Sequence, residues 1–372
     1  MKILFLSHFR EGSDWSHRAI EYAMSMIEAG IDLAIRDISV TNRPTVAELP
    51  LQLVQLEQKK TSECEVCIQY ILPHLLATNS AFKNIAVFAL ESASIRDIIW
   101  FRHLQIMDEV WVPNSQLKSV LEDSKIGLPV TVFFQPTQAN VPSNAGKVHM
   151  GAAEANFKFY YIGGMLDRDN IESVIRCFHS EFHRSEQVSL VLHPHSAGQS
   201  AQQATEMINK KSHEIKNRLR MYKNPESYHK EITITEPMNE EGILALHNSC
   251  DCFISVPHAD SWSTEAIRAM AHGNTPIVSA CGGNLDFVNP FNPHTGSLVA
   301  GHYSVCNSST PPFDDLETGK ESWFIPCEDE VKSLMRYYYE HRDQDHSKDG
   351  IKQAKKFSRK NIGNKIKEYL NG

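Results

Sequence analysis

The groups best suited to chemistry crowd into residues 251–289. Asp260 sits in a polar loop, His258-Ala259-Asp260-Ser261, with Trp262, Ser263 and Thr264 directly after it. Glu265 and Arg268 follow three residues apart, the spacing that puts two side chains on one helical face. A carboxylate accepts hydrogen bonds from paired hydroxyls, whereas a guanidinium only donates and suits phosphate. A second group, Gly163-Gly164 and then Arg168, joins a flexible turn to a cation and a helix start. That combination binds phosphate through backbone N–H groups and charge. A third group, Gly12, Ser13, Asp14 and His17, surrounds a loop-to-helix junction, where His17 is either a site residue or an exposed helix residue. Glu91 follows an apolar run and is either a site carboxylate or, with Ser92, a helix cap.

The elements that must hold these groups alternate strand and helix. Residues 252–256 are an apolar run short enough for a buried strand. Ser261 or Ser263 could cap the helix expected over 264–272, with Gly273 placed to end it. A second apolar run, 276–280, leads to the Gly282-Gly283 turn. Strands are likewise expected at 2–7, 31–35, 65–71, 84–90 and 130–134, with helices at 16–29 and 116–124. Residues 142–156, rich in Ala, Gly, Ser and Asn, read as a linker. The alternation restarts at 157–162 and continues with strands at 189–193 and 231–235 and helices at 204–223 and 239–250. Residues 351–370 read as a basic amphipathic helix. Ligands in such sheets sit beyond the carboxyl ends of the strands.

Composition narrows the classes. The chain has 372 residues, 41% hydrophobic and 22% charged, with a formal net charge of -8. That size suggests two domains with full cores. Overall acidity disfavours nucleic acid as a partner, although a local basic groove would remain compatible with it. Cys64 and Cys67 form a C-x-x-C inside an apolar run, without the second pair that a zinc ribbon needs, and read as buried small side chains. His193-Pro194-His195 has no adjacent third ligand. Of the Asp-x-Asp triplets, Asp167-Arg168-Asp169 has a cation between its acids and Asp343-Gln344-Asp345 lies in a charged link. No metal site is expected. The cysteine usage fits a reducing, cytoplasmic setting. Residues 1–6 are too short an apolar core for a signal peptide, and no run reaches membrane-spanning length.

The stretch from Asp260 to Gly283 resembles the donor-site signature of family 4 glycosyltransferases, retaining enzymes of the GT-B fold. Ala269-Met270-Ala271-His272-Gly273, Pro276-Ile277-Val278 and Gly282-Gly283 stand in register with it, and Met107 to Ser115 resembles a further strand of that family. The resemblance implies an α/β GT-B chain, with two Rossmann-like domains facing a central cleft. They would span 1–145 (acceptor) and 157–345 (donor), with a C-terminal helix, 346–372, returning to the first. It implies sugar transfer from a nucleotide-sugar co-substrate to a glycan, lipid-linked saccharide or other hydroxyl acceptor, with retention and without a metal or other cofactor. Asp260 would lie near the transferred sugar, Glu91 and His17 near the acceptor, and Gly12, Ser13, Gly163, Gly164 and Arg168 near the donor phosphates. Trp262, Ser263 and Thr264 occupy the donor loop. The acid that usually holds the ribose falls on Arg268, so Glu265, one turn earlier, is the expected substitute. Gly164 and Asp169 replace the basic residues expected there. These departures keep open a GT-B-like binding or scaffolding protein without turnover, and a local basic groove would instead favour a glycosyltransferase acting on modified DNA bases. The basic C-terminal helix could also lie on an anionic membrane.

Overall fold

A computed structural model of the chain describes residues 1–39, 48–95, 100–138, 146–195, 199–305, 322–344 and 347–372. The chain divides into two compact units. Unit 1 is Met1–Gln138, Val305–Ser322 and Lys355–Gly372, and unit 2 is Ala139–Ser304 and Trp323–Ala354. Part of the expected linker (142–145), together with Asp345, falls outside the described residues.

In unit 1 the strands are β1 (Lys2–Ser7), β2 (Asp32–Asp37), β3 (Val66–Tyr70), β4 (Lys83–Val87), β5 (Glu109–Val112) and β6 (Val130–Val132). They form one parallel sheet in the order β2-β1-β3-β4-β5-β6. Its helices are α1 (Asp14–Glu28), α2 (Leu51–Glu57), α3 (Trp100–Leu104) and α4 (Ser115–Asp123). Parallel sheets are covered on both faces, so their strands read as continuous apolar runs. Every residue of β3 is buried, including Gln69, whose amide is satisfied by the backbone of Ala77. Cys64 and Cys67 pack with Leu4 and Ala34, and burial pushes the Cys67 thiol up to about 12.

Unit 2 repeats the plan with β7 (Phe157–Gly163), β8 (Val188–Pro194), β9 (Ile232–Thr233), β10 (Cys252–Ser255), β11 (Thr275–Ser279) and β12 (Ser297–Val299). The parallel order is β12-β11-β10-β7-β8-β9. Its helices are α5 (Ile171–Glu181), α6 (Ala201–Leu219), α7 (Glu240–Ser249), α8 (Thr264–Ala271), α9 (Asn284–Phe287), α10 (Glu328–Glu340) and α11 (Ser347–Lys355). A separate ribbon pairs β13 (Gly301–Val305) with β14 (Ser322–Pro326).

The expected single helix over 351–370 is two helices, α11 and α12 (Arg359–Asn371). The break is built by Ser358, whose hydroxyl caps α12, and by Phe357, whose carbonyl accepts the Thr137 N–H at 2.9 Å. The first of the two stays with unit 2, where Gln353 donates to the Phe287 carbonyl at 3.0 Å. The second lies on α1: Ile362 and Ile366 join the core of unit 1, Arg359 pairs with Glu21 and Lys367 donates to the Ala29 carbonyl. The apolar face of α12 is therefore packed inside unit 1. Among the described residues no helix is long and apolar enough to cross a membrane.

Candidate functional site

In unit 2 the strand order reverses between β7 and β10. Loops leaving such a pair diverge to opposite faces and leave a crevice at the carboxyl ends of the strands. The loops after β7 and β10 are tied together there. Asn170, left-handed at φ 54°, donates its amide to the Val256 carbonyl at 2.8 Å. The His258 N–H donates to the Arg168 carbonyl at 2.7 Å, and the His258 ring pairs with the Phe324 carbonyl and stacks on Trp323. Arg168 is thus held by its backbone while its side chain stays 38% exposed beside Asp169.

The turn after β10 is fixed by its own residues. The Asp260 carboxylate accepts the Trp262 N–H at 3.0 Å, an Asx turn. Gly282, at φ 59°, and Gly283 let the next turn approach: a Cβ on Gly282 would collide with the Asp260 carbonyl and one on Gly283 with the Trp262 ring. Trp262 is only 1% exposed and packs edge-on against Phe287 at 5.7 Å. It therefore shapes the donor loop from inside, with its ring enclosed by Gly283 and Phe287. Ser263 takes the N-cap position of α8, but its hydroxyl makes no capping bond. Thr264 opens the helix, and its N–H donates to the Trp262 carbonyl.

Glu265 and Arg268 meet as their spacing predicts, at 3.1 Å. Arg268 also pairs with Glu240 at 2.9 Å, and His247 bonds the other oxygen of Glu265 at 2.9 Å. Burial alone would raise the Glu265 carboxyl. Arg268 and the hydrogen bond from His247 outweigh it and hold the group at about 2. The replaced basic positions are linked: the Asp169 carboxylate accepts the Leu166 N–H at 2.8 Å and lies where a side chain on Gly164 would begin. A Cβ on Gly163 would meet the Tyr161 hydroxyl. His193 is buried against the Ile234 carbonyl and burial lowers its pKa, so it serves β8 and β9. Among the described residues, no three His, Cys, Asp or Glu side chains converge as a metal site.

Unit 1 reverses its order between β1 and β3. His8 closes that point, its Nδ1 against the Ile38 carbonyl and its Nε2 accepting the Leu72 N–H at 3.2 Å. Gly12 is left-handed at φ 69°, and Ser13 caps α1 by accepting the Ser16 N–H. His17 is exposed on the first turn of α1. Burial pushes up the Tyr70 phenol, which is hydrogen-bonded to Arg18 and feels the charges of Glu91 and Asp14. Glu91 is half-buried beyond the carboxyl end of β4. Ser92 accepts from the N–H groups of Ser94 and Ser322.

No protein-family profile matches the chain. No curated protein matches it by sequence. Solved structures do match along the full length. HepE of Anabaena, in complex with UDP, is 14% identical with a TM-score of 0.61, covering 100% of both chains. Sucrose-phosphate synthase of Thermosynechococcus elongatus is 12% identical with a TM-score of 0.65, covering 100% of this chain and 98% of that one. A UDP-forming trehalose-phosphate synthase of Burkholderia xenovorans, in complex with glucose-6-phosphate, is 10% identical with a TM-score of 0.68, covering 100% of both.

The fold is that of the GT-B glycosyltransferases. Within this GT-B chain, sequence reading brought Asp260, Glu265 and Arg268 to one loop and helix, and Arg168 to the loop bonded to it. It missed His247, Tyr160 and Asn274, which support Glu265 from behind. Their one visible signal was a His among Ile243, Leu244 and Leu246 on α7.

Proposed function

We propose that this protein transfers a sugar from a nucleotide-sugar donor to a hydroxyl acceptor, a glycan or lipid-linked saccharide, with retention and without a metal. The observation that carries the reading is the laced switch point of unit 2, on a chain that follows the fold of glycosyltransferases over its whole length. HepE, one of the matching proteins, was solved with UDP and with UDP-glucose. The chemistry asks for fixed positive charge and N–H groups facing a departing diphosphate, which lower the barrier because they need no reorganisation. Arg168 supplies the cation, and Asp260 stands beside the transferred sugar. Glu265 accepts from the ribose. Glu91 and His17 belong to the acceptor side in unit 1.

The test is turnover. The purified protein is offered UDP-, GDP-, ADP- and CDP-sugars with saccharide and polyprenyl-phosphosaccharide acceptors, and release of nucleoside diphosphate is followed with and without EDTA. Acceptor-dependent release that survives EDTA is expected. Release abolished by EDTA and restored by manganese would overturn the metal-free part. Thermal shifts with the nucleotides and no turnover would instead favour a binding protein, the second reading. The placement of Asp169 against Gly164, where the family carries basic groups, is what keeps that reading in view.

A further inference from the structure

Glu265 is backed by a chain of side chains that none of the site chemistry above uses. His247 is 0% exposed on α7, and both its ring nitrogens are engaged. Its Nδ1 meets the Tyr160 hydroxyl at 2.7 Å and its Nε2 meets Glu265 at 2.9 Å. Asn274 donates to the same hydroxyl at 2.9 Å and to the His247 carbonyl at 2.7 Å. His272 stacks on the other face of the network, its ring 5.3 Å from that of His247.

The directions of these bonds follow from donor counting. The Asn274 amide nitrogen, held on the His247 carbonyl, can only donate, so the Tyr160 oxygen accepts from it and turns its own O–H toward His247. Burial raises the Tyr160 phenol well above its ordinary value, so that proton stays in place. Nδ1 is then the acceptor, and the ring proton sits on Nε2, pointing at the Glu265 carboxylate. The carboxylate has acceptor capacity for about four hydrogen bonds. Arg268 and His247 take one on each oxygen, and the side chain remains 23% exposed. Arg268 stands between Glu265 and Glu240, two carboxylates for one guanidinium. Such a trio repels a diphosphate and accepts from hydroxyls.

We infer that His247 is the positioning residue of the donor site: it fixes the Glu265 carboxylate as acceptor for the nucleotide's ribose hydroxyls, with Tyr160 and Asn274 setting its tautomer. The inference rests on the reading that unit 2 binds a nucleotide sugar. Isothermal titration tests it, using whichever of UDP, GDP, ADP and CDP the wild type binds tightest, together with the matching nucleoside. His247→Leu should raise Kd about tenfold for both ligands, because a hydrogen bond to a charged acceptor is lost on the ribose they share. His247→Gln, which can still donate to Glu265, should restore most of the affinity. Tyr160→Phe should weaken both ligands by about threefold, the lesser effect of a bond one step removed. In turnover the donor KM should rise with kcat little changed.

Glu265→Gln separates the two levels. If it weakens the nucleoside while His247→Leu and Tyr160→Phe do not, the positioning role is overturned and the nucleotide site stands. Equal losses in His247→Leu and His247→Gln, with falling thermal stability, would reduce His247 to a packing residue. If no nucleotide binds, or Glu265→Gln leaves the nucleoside affinity unchanged, the reading beneath the inference fails. Should His247→Leu not fold, Tyr160→Phe decides alone, and an unchanged Kd there overturns the inference.

Discussion

A half-buried carboxylate persists as an anion where cations and donors hold its charge, and Glu231 and Glu265 are held so in different settings. Glu231 accepts from His179 at 2.6 Å and Lys216 at 2.7 Å, and from the Ser212 hydroxyl. Burial would raise it, but His179 and Lys216 hold it at about 2. Its folded value lies below the ordinary carboxylate range, so the unfolded chain binds the proton first. The associated stability is complete above about pH 5 and is lost as pH falls through 4 toward 2. His272 is pushed down to about 4, by burial first and then by His247 and Arg268. It is neutral in the fold while the unfolded ring protonates at about 6.5, so its share is lost between about pH 6.5 and 4. The urea midpoint should therefore fall continuously from pH 7 to 4, and a flat profile would contradict both assignments. At pH 7, Glu231→Gln should cost about 3–5 kcal/mol in urea unfolding, because Lys216 keeps a buried charge without its partner. Arg268→Ala should weaken a nucleoside and its diphosphate by the same factor. A larger loss for the diphosphate would make Arg268 a phosphate ligand after all.

At the scale of elements, α12 supplies a case in which propensity and packing disagree. Gly363 lies mid-helix, where Ala is favoured by about 1 kcal/mol. A Cβ there would collide with the Ser25 carbonyl of α1. Overpacking of that kind costs about 1–3 kcal/mol, so Gly363→Ala should lower the thermal midpoint, and a raised midpoint would mean that the helices can part. The unit β10–α8–β11 was legible in the sequence because each boundary has a local cause: an apolar run, a polar loop, Gly273 in the left-handed region and the Gly-Gly approach. The break between α11 and α12 was not, since Ala354, Phe357, Ile362 and Ile366 keep helical spacing across it. What interrupts them is a Ser358 cap and a backbone bond to Thr137, more than two hundred residues away in the chain. The burial of Trp262 was hidden for a related reason: a Trp in a polar loop looks available until Gly283 and Phe287 are seen to enclose it. His247 stayed hidden because Tyr160 and Glu265 come from other elements.

At the scale of the molecule, the alternation of strand and helix gave the doubled α/β plan, while the return of the chain's end to the first half was implied only by the family resemblance. α12 brings Ile362 and Ile366 into the core of unit 1 and Tyr369 onto the buried Glu109 at 2.6 Å. Ile366→Ala should cost about 2–5 kcal/mol. Deleting residues 359–372 should strip hydrogen-exchange protection from unit 1 while the amides of unit 2 keep theirs, whereas uniform loss would mean that the units unfold as one. The same route has a bearing on how the protein is made. A ribosome releases the six strands of unit 1 long before it reaches Arg359. At ordinary elongation speeds the interval is roughly 10 to 45 s. Through that time the nascent first half carries an uncovered apolar groove along α1, while the second half emerges with all its own parts. The half synthesised first is the half completed last, and it is there that a chaperone would find its client.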